Sequence, residues 1–201
     1  MSAQIAASAA RRVKTVVAAL KTSNVAKEKE LSVVELCQMS AAVPPQRAAI
    51  LSAIVEELSD FYHPQCEKAG VILRVQLPPE PVSVRVDESL LKQSLLNLMI
   101  NATQVLEAQR VGATSERLDD ELILKVEQDE TTARIHVIDT GPGVPEADRE
   151  SIFHPYVSGR KGGTGLGLPT ARRIIEEHGG RLEVDSMAGR GSDFMISLPR
   201  A

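Results

Sequence analysis

The stretch at residues 137–168 constrains this chain more than any other, because it ends an apolar strand on an acid and later opens a helix on bare glycines. It begins V-I-D-T-G-P-G-V-P, passes through P-Y-V-S-G-R-K-G-G and closes on T-G-L-G-L. Ile135, Val137 and Ile138 are apolar and β-branched, and they deliver Asp139 into a Gly-x-Gly turn, which is how a sheet sets a carboxylate at the floor of a pocket. Gly163, Gly165 and Gly167 then leave room for something to lie against backbone, where a helix N-terminus offers unpaired N–H groups and positive dipole to an anion. The pair predicts a nucleotide, with its base on Asp139 and its phosphates on the glycines.

Two commoner phosphate motifs do not fit. No Gly-Lys-Ser/Thr occurs, so a P-loop is excluded. The dinucleotide fingerprint fails as well, because Gly165 and Gly167 are followed at the third place by Thr170 and are preceded by a polar segment instead of a strand.

Composition narrows the classes further. The 201 residues, 43% apolar and 25% charged, suffice for one α/β domain with a modest helical appendage. A net charge of −4 and five scattered aromatics argue against a nucleic-acid partner. Cys37 and Cys66 are too few and too isolated for a disulfide framework or a zinc site. No window is apolar enough for a membrane span, and Arg11, Arg12 and Lys14 stand where a signal peptide needs its apolar centre, so a soluble cytoplasmic chain is expected.

Taken in order, residues 4–21 carry Ile5, Ala9, Val13, Val16, Val17 and Leu20 at helical spacing with four basic residues and no acid. This basic amphipathic helix packs on a partner copy or on the next helix, the preferred reading, or lies on a membrane surface. A second helix is expected at 26–40, making a hairpin through which two copies could pair. A third is expected from near Gln46, with Ile50, Leu51, Ile54, Val55, Leu58 and Phe61 on its apolar face and a kink or break at Pro64. The period then changes to two: Val71, Leu73, Val75 and Leu77 predict a half-buried strand, followed by a short strand at 82–86. The helix expected at 88–109 sets Leu91, Leu95, Leu98, Ala102 and Val105 on one face and Gln93, Asn97, Asn101 and Gln104 on another. After a polar connection at 111–120, strands at 122–127 and 133–138 form a hairpin, a helix runs to about His178, and two last strands at 181–185 and 193–198 finish the chain. The alternation predicts a two-layer α/β sandwich, one mixed sheet with helices on one face, over residues 46–201, preceded by a helical segment at 1–45.

At this point a resemblance becomes specific. N-L-M-I-N-A, D-T-G-P-G-V-P, F-H-P-Y and G-T-G-L-G-L resemble, in order, the N box, first glycine box, F box and second glycine box of the sensor histidine kinase ATPase domain, a Bergerat-type fold. The likeness covers roughly residue 48 to the C-terminus, and P-Y-V-S-G-R-K-G-G-T-G-L-G-L is especially similar to nitrogen-regulation kinases.

The resemblance implies roles. Asp139 accepts a hydrogen bond from an exocyclic amine and so selects adenine over guanine, with Gly141 and Gly143 beside it. Asn101 matches the family's Mg²⁺-holding asparagine, an oxygen donor of the hard kind Mg²⁺ takes. Asn97 stands where the related gyrase, chaperone and mismatch-repair ATPases carry a glutamate base; an amide cannot take that proton, which favours phosphoryl transfer over hydrolysis. Gln104 replaces the commoner lysine, as in the nitrogen-regulation subgroup, leaving Lys161 or Arg160 to supply the missing charge. Gly163, Thr164, Gly165, Leu166 and Gly167 would receive the phosphates. Residues 144–162 would be the lid, with a helix started by Pro145, Glu146, Asp148 and Glu150, hinges at Gly159, Gly162 and Gly163, and Phe153 and Tyr156 folding it back. No side chain is singled out as catalytic; His136, His154 and His178 are read as structural or lid residues.

The expected function is the ATP-binding catalytic domain of a two-component kinase, using ATP and Mg²⁺. The family's acceptor motif is a histidine followed by an acid and, a few residues on, a proline. His63 is followed directly by Pro64 and no histidine precedes it, so the acceptor is expected outside this stretch, in cis or in trans, with a response regulator receiver downstream. The rival readings are an ATP-gated conformational module, a non-catalytic nucleotide scaffold and, more distantly, a serine-directed anti-sigma kinase. The longer protein would be incomplete without its acceptor domain and could be membrane-associated.

Overall fold

The computed structural model describes residues 46–111, 120–158 and 163–201. The helices expected at 4–21 and 26–40, most of the connection at 111–120, and Gly159, Arg160, Lys161 and Gly162 lie outside the described residues.

The first described element corrects an expectation. Arg47–Ile50 is a strand (β1), not the start of a helix; it pairs antiparallel with β3 (Ser83–Val86), and the Leu51 N–H bonds the Val82 carbonyl at 2.8 Å to seat the chain as it turns into α1. Helix α1 (Leu51–Ala69) buries Leu51, Ile54, Val55, Leu58, Tyr62 and Cys66, while Ile50 and Phe61, read as part of its apolar face, are exposed. Pro64 does not interrupt it. The missing N–H forfeits one helical bond, but Tyr62 and Cys66 on either side stay buried, and the helix runs on to Gly70, which ends it at φ 67°. Arg110 reaches over that end, donating to the carbonyls of Ala69 (3.1 Å) and Gly70 (2.5 Å) and pairing with Asp120.

Strand β2 (Ile72–Gln76) comes next, but its predicted alternation of burial fails: Val75 is 37% exposed and Ile72 42%. The cause is position. The five-stranded sheet runs β2, β4 (Glu121–Gln128), β5 (Thr132–Asp139), β7 (Gly191–Pro199), β6 (Arg181–Met187), so β2 is an end strand, parallel to β4, while every other pairing is antiparallel. On the inner strands the period of two is kept: Leu122, Leu124 and Val126, then Ala133, Ile135 and Val137, then Phe194, Ile196 and Leu198, all face the core. Lys125, Glu127, Arg134 and Asp193 point to the other side. The small β1–β3 ribbon joins the end of β7 through a Val84–Arg200 bridge and the Ala201 N–H to Ser83 carbonyl bond.

Helix α2 (Glu88–Val111) starts on Asp87, whose carboxylate accepts from the N–H groups of Ser89 (2.8 Å) and Leu90 (3.1 Å). Its face of Leu91, Leu95, Leu98 and Ala102 is buried, with Met99 and Leu106. Helix α3 (Gly167–Glu177) packs against α2, burying Ala171, Ile174 and Ile175. His178 closes α3: Nδ1 lies 2.7 Å from the Ile174 carbonyl and Nε2 accepts the Asp87 N–H at 2.9 Å, so the buried ring is held as the neutral Nδ1–H tautomer. The mixed sheet with helices on one face is the predicted architecture.

Candidate functional site

Asp139 shares the parity of Ala133, Ile135 and Val137 and therefore points into the layer between sheet and helices, where only 4% of it is exposed. Its Oδ1 accepts the Gly141 N–H at 2.8 Å, and the backbone and hydroxyl of Ser192, directly opposite on β7, also bond the carboxylate. Burial pushes the carboxyl up to about 6 in spite of those hydrogen bonds. A buried carboxylate beside a bare Gly-x-Gly turn has the means to take a donor from a flat polar group, because the turn leaves no side chain in the way.

The surroundings of Asp139 are tightly joined. Gly191, at φ 104°, lies so close that a Cβ there would fall on the Asp139 carbonyl oxygen, a position only glycine can hold. Ser186 is the node of the next ring: its hydroxyl accepts the Val144 N–H at 2.7 Å, donates to the Gly191 carbonyl at 2.8 Å and stands 3.2 Å from the Ser192 hydroxyl. The Arg149 guanidinium bonds the Ser186 carbonyl. Ser186, Ser192 and Arg149 escaped the sequence reading; the G-R-G-S turn before β7 was the available signal, since its last glycine and serine fall opposite Asp139 only once the register of β5 and β7 is known.

Helix α2 runs between the two glycine sets. Val105 would touch a Cβ placed on Gly141, and two turns earlier the Asn97 amide donates to the Gly167 carbonyl at 3.3 Å. Asn97 and Asn101, one turn apart, are half-buried, and Gln104 is exposed. Gly143 sits under the Met187 carbonyl at the β6–β7 turn. Gly163 and Thr164 are exposed, Gly165 and Leu166 less so, and Leu166 precedes α3 without any side-chain cap, leaving the N–H groups of Gly167 and Leu168 with no cap from it, while Pro169 has none. The structure thus brings Asp139, Gly141, Asn97 and Gly167 to one side of α2, while Lys161 lies outside the described residues.

The segment between the glycine sets departs from its predicted form. Pro145 opens only a 3-10 turn (Glu146–Asp148), and a second turn spans Ser151–Phe153. Phe153 is buried edge-on against Phe194, 6.4 Å between centroids, with the Arg172 guanidinium 4.7 Å over its ring. Tyr156 does not fold the segment back: it is 75% exposed and holds a left-handed φ of 66°, while its N–H bonds the Gly165 carbonyl at 3.0 Å. His154 is exposed, and His136 lies on the far face of the sheet between Asp193 (2.8 Å) and Glu127 (3.3 Å), away from Asp139.

A mixed sheet with helices on one face, a buried acid at the end of its central strand and a glycine-opened helix across from it define an ATP-binding sandwich. Residues 86–201 match the family described as histidine kinase-, DNA gyrase B-, and HSP90-like ATPase, and the chain belongs to that family. It is 32% identical over 151 residues to the sensory histidine kinase/phosphatase NtrB of Vibrio alginolyticus, covering 74% of this chain and 43% of that protein. It is 35% identical over 162 residues to the adaptive-response sensory kinase SasA of Synechococcus, covering 79% and 40%. The chain thus spans less than half the length of these curated relatives. Among solved structures, the catalytic domain of histidine kinase ThkA superposes with a TM-score of 0.65 at 28% identity, covering 77% of this chain and 97% of that one. Full-length ShkA, in complex with AMPPNP, gives 0.71 at 25% identity, covering 84% and 34%. This is the ATP-binding catalytic domain of the sensor histidine kinase type.

Proposed function

We propose that the domain binds Mg·ATP with adenine on Asp139 and phosphates along residues 163–167, and passes the γ-phosphoryl group to a histidine outside residues 46–201. The observation that carries the transfer reading is Asn97. Its amide sits at the start of α3, bonded to the Gly167 carbonyl, where hydrolysing members of the family hold a glutamate. An amide takes no proton from water, so the domain positions ATP without activating a water against it. The imidazole nitrogen of the acceptor attacks the γ-phosphorus, the bond to the bridging oxygen breaks and ADP leaves.

The chemistry of the residues suits the ligand. Gly141 leaves the carboxylate of Asp139 bare on one side, since a Cβ there would stand 2.6 Å from Oδ1, and the start of α3 offers uncapped N–H groups to phosphate. Mg²⁺, which neutralises charge on the phosphates, would be held by the Asn101 amide oxygen and the phosphate oxygens themselves, which agrees with the lack among described residues of any acidic or histidine cluster able to hold a metal alone. Gln104 and Lys161 would flank the phosphates. The bound AMPPNP of ShkA supports the nucleotide reading. A response regulator receiver would take the phosphoryl group onward, two copies would pair through residues 1–45, and the work would be done in the cytoplasm, where ATP is. No helix among the described residues is long and apolar enough to cross a membrane.

Incubation with γ-labelled ATP tests this. The chain alone stays unlabelled, and adding a cognate histidine hairpin gives acid-labile, base-stable label on the hairpin. Stoichiometric label on His63, exposed on α1, would refute the external acceptor, and nucleotide binding without transfer to any hairpin would favour the non-catalytic scaffold.

A further inference from the structure

The sheet ends differently on its two sides. Edge strand β6 carries Arg181, Glu183 and Asp185 at alternate positions, the charged pattern that keeps other strands from adding to it. Edge strand β2 has five residues in unbroken register with β4, no proline, no lysine and no bulge; its one charge, Arg74, is paired with Glu121, and it exposes Ile72 and Val75. The Ile72 N–H points inward, to the Asp120 carbonyl at 2.8 Å. In a parallel ladder alternate residues bond to opposite sides, so the backbone groups of Leu73 and Val75 point outward, where no strand lies among the described residues.

Beside this open edge lies a groove of about 530 Å³ lined by Glu56, Ser59 and Asp60 of α1 and by Val75 and Leu77. Glu56 and Asp60 are four apart on one helical face, a like-charge spacing that costs stability, and neither has an ion-pair partner among the described residues. Glu57, between them in sequence, is paired with Lys92 at 2.7 Å. Glu67, the remaining acid of α1, stands 3.8 Å from His63, so Glu56 and Asp60 are the acids of this helix with no ion-pair partner among the described residues, and both line the groove.

We propose that β2 accepts an extended, basic and apolar segment of a partner protein as a sixth strand. Side chains alternate across a strand. Those of the added strand facing the helix layer meet Glu56, Ser59 and Asp60 over Val75, which suits lysine or arginine with its stem along the valine and its charge at the acids. Those on the other face meet Ile72 and Gln76, with the Arg74 charge already taken by Glu121, which suits an apolar residue. A second copy of this chain fits poorly, because a β2–β2 pairing brings Glu56 and Asp60 of both copies to one groove with no added base. The surface lies two strands from Asp139, Leu73 standing opposite Leu122 and Leu122 opposite Asp139, and the proposal does not depend on the transfer reaction.

The test titrates the full chain with a fluorescein-labelled, acetylated Lys-Val-Lys-Val-Lys-Val-Lys amide and follows amide chemical shifts. Binding in the micromolar range, with shifts confined to residues 56–60 and 72–77, supports the proposal. So does loss of binding when alternate peptide amides are N-methylated, or when every lysine becomes glutamate. The Glu56→Lys/Asp60→Lys variant should bind the peptide at least about tenfold more weakly while keeping its nucleotide affinity. Absence of binding, equal binding of the N-methylated peptide, or shifts at residues 72–77 that grow with the concentration of the chain alone, showing that two copies close the edge on each other, would each overturn it.

Discussion

Around Asp139 the backbone is fixed by the interior: Gly191 lies against its carbonyl, Ser192 and Gly141 hold its carboxylate, and Ser186 ties Val144 to the β6–β7 turn. Around Gly165 the bonds among the described residues are one from the Tyr156 N–H, on a residue itself exposed and left-handed, and, two residues on, one from the Asn97 amide to Gly167. On the proposed reading, the base end of the site would be finished by folding and the phosphate end left for the ligand to finish. A rigid base pocket spares ordering entropy on binding, whereas a loosely held phosphate end can close and reopen with each turnover.

Alanine at a glycine of each region should break the comparison most visibly. Gly191→Ala forces a left-handed φ and a clash with main chain that cannot move, and should cost at least about 3 kcal/mol of stability, read as a fall in Tm of several degrees. Gly165→Ala also forces a left-handed φ and meets backbone, the Tyr156 carbonyl carbon at 2.6 Å, but Tyr156 is exposed where Asp139 is buried, so it should cost less, about 2 kcal/mol. Equal losses would erase the distinction.

Asp139→Asn sharpens it in another way. The variant should bind ATP at least about a hundredfold more weakly in calorimetry, since a charged acceptor is lost from a buried site. It should also be more stable than the parent without nucleotide. A carboxyl raised from 3.8 to about 6 by folding opposes folding once ionised: the penalty is whole above about pH 6 and disappears as pH falls towards 3.8, where the native state has already taken the proton. At pH 7 the gain should be on the order of 2 kcal/mol, and absent below about pH 4. A less stable variant at pH 7 would mean that Ser192 and Gly141 outweigh burial.

The same carboxyl sets the pH dependence of binding. If adenine donates to the ionised form, affinity should drop about tenfold per pH unit below about 6 and stay flat above it, and the Asn variant should show no such break. A flat profile in the parent would separate Asp139 from the base. The smallest effect is in hydrogen exchange. Residues 144–153, held by Ser186 and by Phe153 on Phe194, should already be slow, and nucleotide should slow chiefly 154–158 and 163–167. Uniform protection before nucleotide is added would remove the loose end.

Much of this was legible in the sequence. The alternation in β4 and β5 and the spacing in α2 were readable because those elements are buried along one face and their periodicity reports it. The buried Asp139 and the glycine turns near it were readable because an acid at the end of an apolar strand, and glycines at left-handed φ, are residues no core would choose. What failed depends on neighbours: β1 became a strand because β3 lies beside it, β2 lost its pattern because it ends the sheet, and Phe61 faces out although its spacing matched the core. The lid helix shrank to 3-10 turns because Phe153 is drawn onto Phe194, a contact between positions 41 residues apart. Ser186 and Ser192 could not be found without the register of three strands.

Helix α3 is tethered to α2 at both ends, Gly167 to Asn97 and His178 to Asp87. The tethered spans, 167–178 on one helix and 87–97 on the other, are matched in length at about 15–17 Å and run in opposite directions. A rod fastened to a rail at two equally spaced points cannot slide along it; it can only roll. Loss of either fastening, as in Asn97→Ala or His178→Ala, would leave the other as a single pivot and free the register between the two helices.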